Sequence, residues 1–340
     1  MAKRMKSKIQ PAVMKLRFSL TDRGDPITQN TFKTFFIDLS QCASVVNRRF
    51  YRQGLNWAVS DFTLRTPVAS SVVVQKLPNT WVTSNAWEKS FRLWQNMIKN
   101  ATDESGMPSI KGKYLDFKVF ADKNHHRIGS GDNLLPVSYD YDDTAGAQNV
   151  STTTAVSGEW TMSDITIATD GTGAAVDYEL IMVGPNDPGA GASGKDAKSI
   201  IQGYADSRAL PYDQDPNVPA DASLNWMIGV FDEANAQDRA VVNMLESNGD
   251  QTPYPIEGAG ATDTMYPGGE TQLPDLETHA FETVTSTTIG GMTRFPGGNF
   301  PCGLIAVHFN PTGNSATAEL ELNLVPGNHR GYLAQPMTDM

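Results

Sequence analysis

The feature that most constrains this chain is a succession of short runs rich in β-branched and aromatic residues. Stretches rich in Gly, Pro, Asn and Asp, many of them longer than hairpin turns, set these runs apart. Such runs read as strands. They fall at 31–39, 55–66, 71–77, 114–120, 159–168, 177–183, 225–231, 281–289, 303–309 and 316–325. In the second run Trp57, Val59, Phe62 and Leu64 alternate with polar neighbours around a step at Ser60-Asp61, the period of a half-buried strand. A short helical or irregular piece is expected around Gln41–Arg49. One helix stands out over Asn85–Lys99, where Trp87, Phe91, Trp94 and Ile98 recur at spacings of 4, 3 and 4 and share one stripe. Asn85 and Glu88 have the form of a capping box at its start. Further helices are expected over 196–207 and 232–246, and long loops over 184–194 and 249–274. Many strands with few helices predict an all-β antiparallel sandwich whose loops serve as contact surfaces.

The 340 residues are ample to bury a core without covalent staples. No run approaches the roughly 18 apolar residues of a membrane helix. Met1-Ala2-Lys3-Arg4 carries charge with no apolar stretch behind it, which argues against a secretory leader. With only Cys42 and Cys302, a disulfide scaffold and a Cys-rich zinc site are both excluded, and a reducing compartment is the simpler reading.

Charge is unevenly spread. Lys3, Arg4, Lys6, Lys8, Lys15 and Arg17 all precede the first acid, Asp22, so +6 sits in the first 21 residues and −17 in the rest. An acidic body repels nucleic acid, whereas a basic arm over 1–21 reverses that locally by releasing counterions from phosphates. A second cluster, Arg48, Arg49 and Arg52, is interleaved with Phe50 and Tyr51. Stacking combined with phosphate contact holds single strands without sequence preference. The alternative for this cluster is structural, with guanidinium groups covering a sheet edge or bridging subunits.

Chemical motifs are weak. Gly189-Ala-Gly-Ala-Ser-Gly194-Lys195 has the form of a phosphate-binding loop, but Asp196 stands where a magnesium-binding hydroxyl belongs. It reads instead as a Gly-rich loop before a helix. Asp140, Asp142 and Asp143 are calcium candidates whose spacing is not that of an EF-hand, and a solvated acidic loop is the simpler account. Adjacent His125 and His126 cannot easily face one metal. No Gly-x-Ser-x-Gly elbow occurs, so neither an enzyme nor a cofactor is expected.

Three blocks together resemble a known family. They are Phe36-Ile-Asp-Leu-Ser-Gln-Cys-Ala-Ser-Val-Val-Asn-Arg-Arg-Phe-Tyr-Arg-Gln-Gly54, Lys76-Leu-Pro-Asn-Thr-Trp-Val-Thr83 with Ala86-Trp87-Glu88-Lys89, and Leu324-Val-Pro-Gly-Asn-His-Arg-Gly-Tyr-Leu333. The chain resembles capsid proteins of small circular single-stranded DNA viruses that encode a replication-initiator protein. The resemblance implies a jelly roll over 22–340, with loop insertions at 121–157, 184–224 and 249–277. A double jelly roll stays open, because ten strands exceed the eight of one. It also implies self-assembly into an icosahedral shell around single-stranded DNA, a place in the virion after assembly inside the host cell, and no membrane partner. A host-cell surface receptor is a further candidate partner. Many relatives carry a denser arginine-rich arm than this one. The competing expectations are a glycan-binding sandwich and, further off, a nucleotide hydrolase using Lys195.

Overall fold

The computed structural model of the chain describes residues 12–104, 106, 116–142, 149–168, 175–209, 227, 275–285 and 287–340. In chain order the first elements are β1 (Lys15–Leu20), β2 (Lys33–Asp38), α1 (Leu39–Asn47), β3 (Leu55–Arg65) and β4 (Ser70–Lys76). Next come α2 (Trp81–Glu104), α3 (Lys123–Ile128), β5 (Val137–Asp142), β6 (Asn149–Thr154), β7 (Asp164–Ala168), β8 (Ala175–Ile181), β9 (Asp196–Ser199) and α4 (Ile200–Ala209). The last group is β10 (Glu277–Val284), β11 (Met292–Phe300), β12 (Leu304–Pro311), β13 (Ala318–Leu324), β14 (Pro326–Gly327), β15 (Gly331–Tyr332) and β16 (Ala334–Pro336). These elements divide between two compact units, one built from residues up to 77, 131–160 and 277–337, the other from 78–130, 161–276 and 338–340.

The first unit is a sandwich of two antiparallel sheets. One runs β1-β13-β3-β11, with β16 also beside β3, and the other runs β10-β4-β12-β2. β1 pairs with β13, β2 with β12, β3 with β11 and β4 with β10. Strict alternation puts Leu16, Phe18 and Leu20 of β1 and Leu320, Leu322 and Leu324 of β13 into the core. From the other sheet Val72, Val74, Ile305, Val307 and Phe309 meet them. Each fully buried side chain of this kind contributes about 1.5–3 kcal/mol relative to exposure, so the core rather than the loops holds the unit together. A separate hairpin, β5-β6, belongs to the same unit.

α1 follows β2 without a loop because Asp38 caps it. Its Oδ1 accepts from Ser40 N at 2.9 Å and Gln41 N at 3.3 Å, while Oδ2 accepts from Gln53 Nε2 and Trp160 Nε1, both at 3.0 Å. Full burial pushes this carboxyl up to about 6, against the pull of its four donors.

Several expectations need correction. The arm does not extend to residue 21, because Lys15–Leu20 is a paired strand. The run 114–120 is not a strand where described: residues 116–119 are irregular and only Phe120 makes a bridge. The strand expected at 281–289 is shifted, with β10 ending at Val284 and a turn over 287–291 leading into β11. β11 went unread because Pro296, Gly297 and Gly298 interrupt its pattern; at a sheet edge a proline removes no ladder bond the sheet needs. Gly297 permits a close approach there, since a Cβ on it would lie 2.0 Å from the Val59 carbonyl oxygen. Residues 121–157 are not one long loop but carry α3, β5 and β6. The expected strand 225–231 (apart from buried Met227), the helix 232–246 and the loop 249–274 lie outside the described residues.

In the second unit, α2 begins at Trp81, four residues before the expected start. Thr80 Oγ1 accepts from Thr83 N at 3.4 Å, so Asn85 is helical and Glu88 instead pairs with Arg92 one turn on. Trp87, Phe91 and Trp94 gather around Phe117 at ring separations of 5.6–5.8 Å, which makes the aromatic stripe core. β7 and β8 run antiparallel, while β8 and β9 run parallel.

Candidate nucleic-acid interface

At one end of the sandwich, α1 stops at Arg48, which takes the left-handed conformation (φ 53°). Glycine usually fills that position, because a side chain there costs about 1–2 kcal/mol. The reversal turns the chain so that Arg48, Arg49 and Arg52 are exposed while Tyr51 is buried. Arg330, in the turn between β14 and β15, is also exposed and also left-handed (φ 51°). It reaches across to this segment: its NH1 donates to the Phe50 carbonyl at 2.6 Å, its guanidinium lies 6.0 Å from the Tyr51 ring centre, and Tyr51 Oη donates to its carbonyl at 3.1 Å. Two strained arginines in one cluster are the kind of outlier that concentrates at functional sites.

The exit of the N-terminal segment is fixed to the same place. Val13 N donates to Asn47 Oδ1 at 3.1 Å, and Tyr332 Oη donates to the Val13 carbonyl at 2.7 Å while accepting from Asn47 Nδ2 at 2.7 Å. Burial pushes the Tyr332 phenol up to about 12, so it stays a donor at neutral pH. Tyr332 in turn packs against Tyr51 and Trp57, at ring separations of 5.5 and 5.3 Å. Neighbouring His329 is held below its ordinary range by burial and by Arg330, so at neutral pH it adds no charge to the cluster. Lys3, Arg4, Lys6 and Lys8 lie outside the described residues, but the chain that bears them enters the sandwich beside four exposed arginines.

Lys15 and Arg17, expected to contact nucleic acid, are engaged otherwise. On the outer face of β1 they sit opposite β13, where Lys15 Nζ is 2.7 Å and Arg17 Nε 3.1 Å from the Glu321 carboxylate. Arg65 of β3 joins at 3.4 Å and also meets Glu319 at 3.2 Å. Burial of Glu321 opposes ionisation, yet bonds from Lys15, Arg17 and Arg65 hold its carboxyl below the usual value. The aromatic residues expected as stacking faces are also committed inward. Tyr51 is 1% exposed, and Phe50 rests against Trp160 at 6.2 Å.

The remaining candidates are not brought together into chemistry. The Gly-rich loop leads into strand β9 rather than a helix. Asp196 Oδ1 accepts from Gly189 N at 3.0 Å within the loop, and Lys195 pairs with Asp164 of β7, so both polar groups of the motif are already engaged. Gly191 has a packing reason, since a Cβ on it would lie 2.5 Å from His126 Nε2. His125 and His126 are buried on α3, the first accepting from Ala121 N and the second 2.9 Å from Glu179 Oε2. Asp140 and Asp142 are in strand β5 rather than a loop, and Asp143 lies outside the described residues. Among the described residues no cluster of three His, Cys, Asp or Glu side chains could hold a metal ion. Cys42 and Cys302 are buried free thiols.

Sequence reasoning missed Arg330 as a member of the cluster, because 278 residues separate it from Arg52. It also missed the carboxylates that engage Lys15 and Arg17, although the alternation of Leu16, Phe18 and Leu20 with Lys15, Arg17 and Ser19 was a legible strand signal. No family model, no curated protein and no solved structure matches this chain.

Proposed function

We propose that the chain is a capsid subunit with an antiparallel jelly-roll fold, which assembles with copies of itself into a shell around single-stranded DNA. Numbering the eight sandwich strands β1 to β4 and β10 to β13 from one to eight, the sheets run 1-8-3-6 and 5-4-7-2. First pairs with last, second with seventh, third with sixth and fourth with fifth, the pattern of one long hairpin rolled into two sheets. This order supports a single jelly roll, and the insertion between β4 and β10 together with the short strands β14 to β16 accounts for the strands beyond eight.

The observation that carries the nucleic-acid part is the convergence of the arm's exit with Arg48, Arg49, Arg52 and Arg330 at one end of the sandwich. In a shell that end would face inward, where basic charge meets the genome and leaves the acidic body outside. Repeated contacts between identical copies let modest interface energies close a shell. Purified protein is expected to form particles visible by negative-stain microscopy, with absorbance showing enclosed nucleic acid. Deleting residues 2–11, which leaves β1 intact, is expected to lower that nucleic acid content. Strictly monomeric light scattering over a range of salt and pH would overturn the reading.

A further inference from the structure

With Tyr51 buried and Phe50 partly buried against Trp160, the Tyr139 ring is the more exposed stacking surface. A cleft of about 630 Å³ opens between β1, the end of α1 and the β5-β6 hairpin. Its volume falls within the ~300–1,000 Å³ typical of small-molecule sites. Three cations line it, Lys15, Arg17 and Arg48, and among its described lining residues none is acidic. Apolar side chains also line it, Val46 of α1 and Val137 of β5, and two residues on from Val137, on the same face of β5, comes the Tyr139 ring. That ring is 41% exposed, and the Arg17 guanidinium lies 5.4 Å from its centre. Val13, where the arm enters the sandwich, is also on the rim.

We propose that this cleft seats one nucleotide of a bound single strand, its phosphate on exposed Arg48 and its base against the Tyr139 ring and the neighbouring apolar side chains of Val46 and Val137. The proposal rests on the nucleic-acid binding argued above and names the place where a base is held. Charge supports it. Lys15, Arg17 and Arg65 share Glu319 and Glu321, leaving one excess positive charge before exposed Arg48 is counted. The lining supports it too, because a cleft that combines an exposed aromatic ring, apolar side chains and cations suits a flat base carrying a phosphate. A strand held there would lie beside Val13 and Arg48.

The test uses the full chain and a short single-stranded oligothymidylate, read by fluorescence anisotropy. Tyr139→Ala is expected to weaken binding about tenfold, the effect of losing one base–aromatic stack. Tyr139→Phe, which keeps the ring, should bind within about twofold of wild type by the same reasoning. Ser138→Glu, placing a carboxylate at an exposed lining position, should weaken binding by a similar factor of about ten. Wild-type affinity in both Tyr139→Ala and Ser138→Glu overturns the nucleotide seat and leaves nucleic-acid binding standing. Failure of wild type itself to bind overturns both. A second measurement needs no variant: photocrosslinking with a bromodeoxyuridine-containing strand should join the peptide bearing Tyr139. Crosslinks confined to other peptides overturn the proposal.

Discussion

Two groups of cations in this protein have different fates. Lys15 and Arg17 lie on a strand, and the antiparallel register sets Glu321 directly opposite Arg17 and Glu319 opposite Ser19. Arg65 comes from the other side of β13, so three cations close on a carboxylate whose side chain is only 4% exposed. Arg48, Arg49, Arg52 and Arg330 sit on turns, where the chain reverses and holds their side chains in solvent. A basic residue's role thus depends less on its local sequence than on whether the sheet's register supplies a partner. Register supplies the first group with carboxylate partners, whereas the second group is exposed at turns.

The largest test of this contrast is Glu321→Ala. It strands three cations that the sheet brought together, and stability should fall by about 1–2 kcal/mol, less than for a fully buried pair because all three cations stay partly solvated. Urea unfolding measures it. Because the carboxyl of Glu321 is held below its ordinary value in the folded state, its contribution is complete above the unfolded value. It is lost as pH falls through the lowered one. The wild type should therefore lose part of its advantage over Glu321→Ala in acid, and an unchanged gap would contradict the network.

Binding should show the reverse pattern. Replacing Arg48, Arg49, Arg52 and Arg330 together by Ala should flatten the slope of log affinity for single-stranded DNA against log salt by about 3, at roughly 0.7 per contact. Replacing Lys15 and Arg17 should flatten it by under about 1, since most of their charge is already answered by Glu321. Equal changes in the two variants would erase the distinction. The smallest effect is expected for Arg48→Gly, which relieves the left-handed backbone while removing one charge. Stability should stay within about 1 kcal/mol of wild type, because relief of strain is offset by the freedom glycine adds to the unfolded chain. The salt slope should still fall by about 0.7. A large loss of stability would mean that the Arg48 side chain carries structure.

Much of the sandwich was legible because burial on one face writes itself as period two. β3, β4 and β13 were readable within a few residues for that reason, β2 and β12 instead from their β-branched and aromatic content, and the body of α2 from its stripe of Trp87, Phe91 and Trp94. β1 was obscured when its charges were read as an arm, although its apolar residues alternate cleanly. β11 was obscured by Pro and Gly residues that an edge strand tolerates. The start of α2 was misplaced because two residues matched a cap while Thr80 performed the capping. At the site, Arg48, Arg49 and Arg52 were legible as a cluster, whereas Arg330 and the Tyr139 cleft were not, since both depend on segments far apart in the chain.

The sequence by itself determined which faces are apolar, and hence that strands must pair into layers, because the hydrophobic effect acts on a local pattern of side chains. The tertiary structure alone decided which charges meet. Electrostatic partners are set by distance in space, and only the rolled pairing of first strand with last brings Glu321 to Lys15, or Tyr332 to the place where the arm begins.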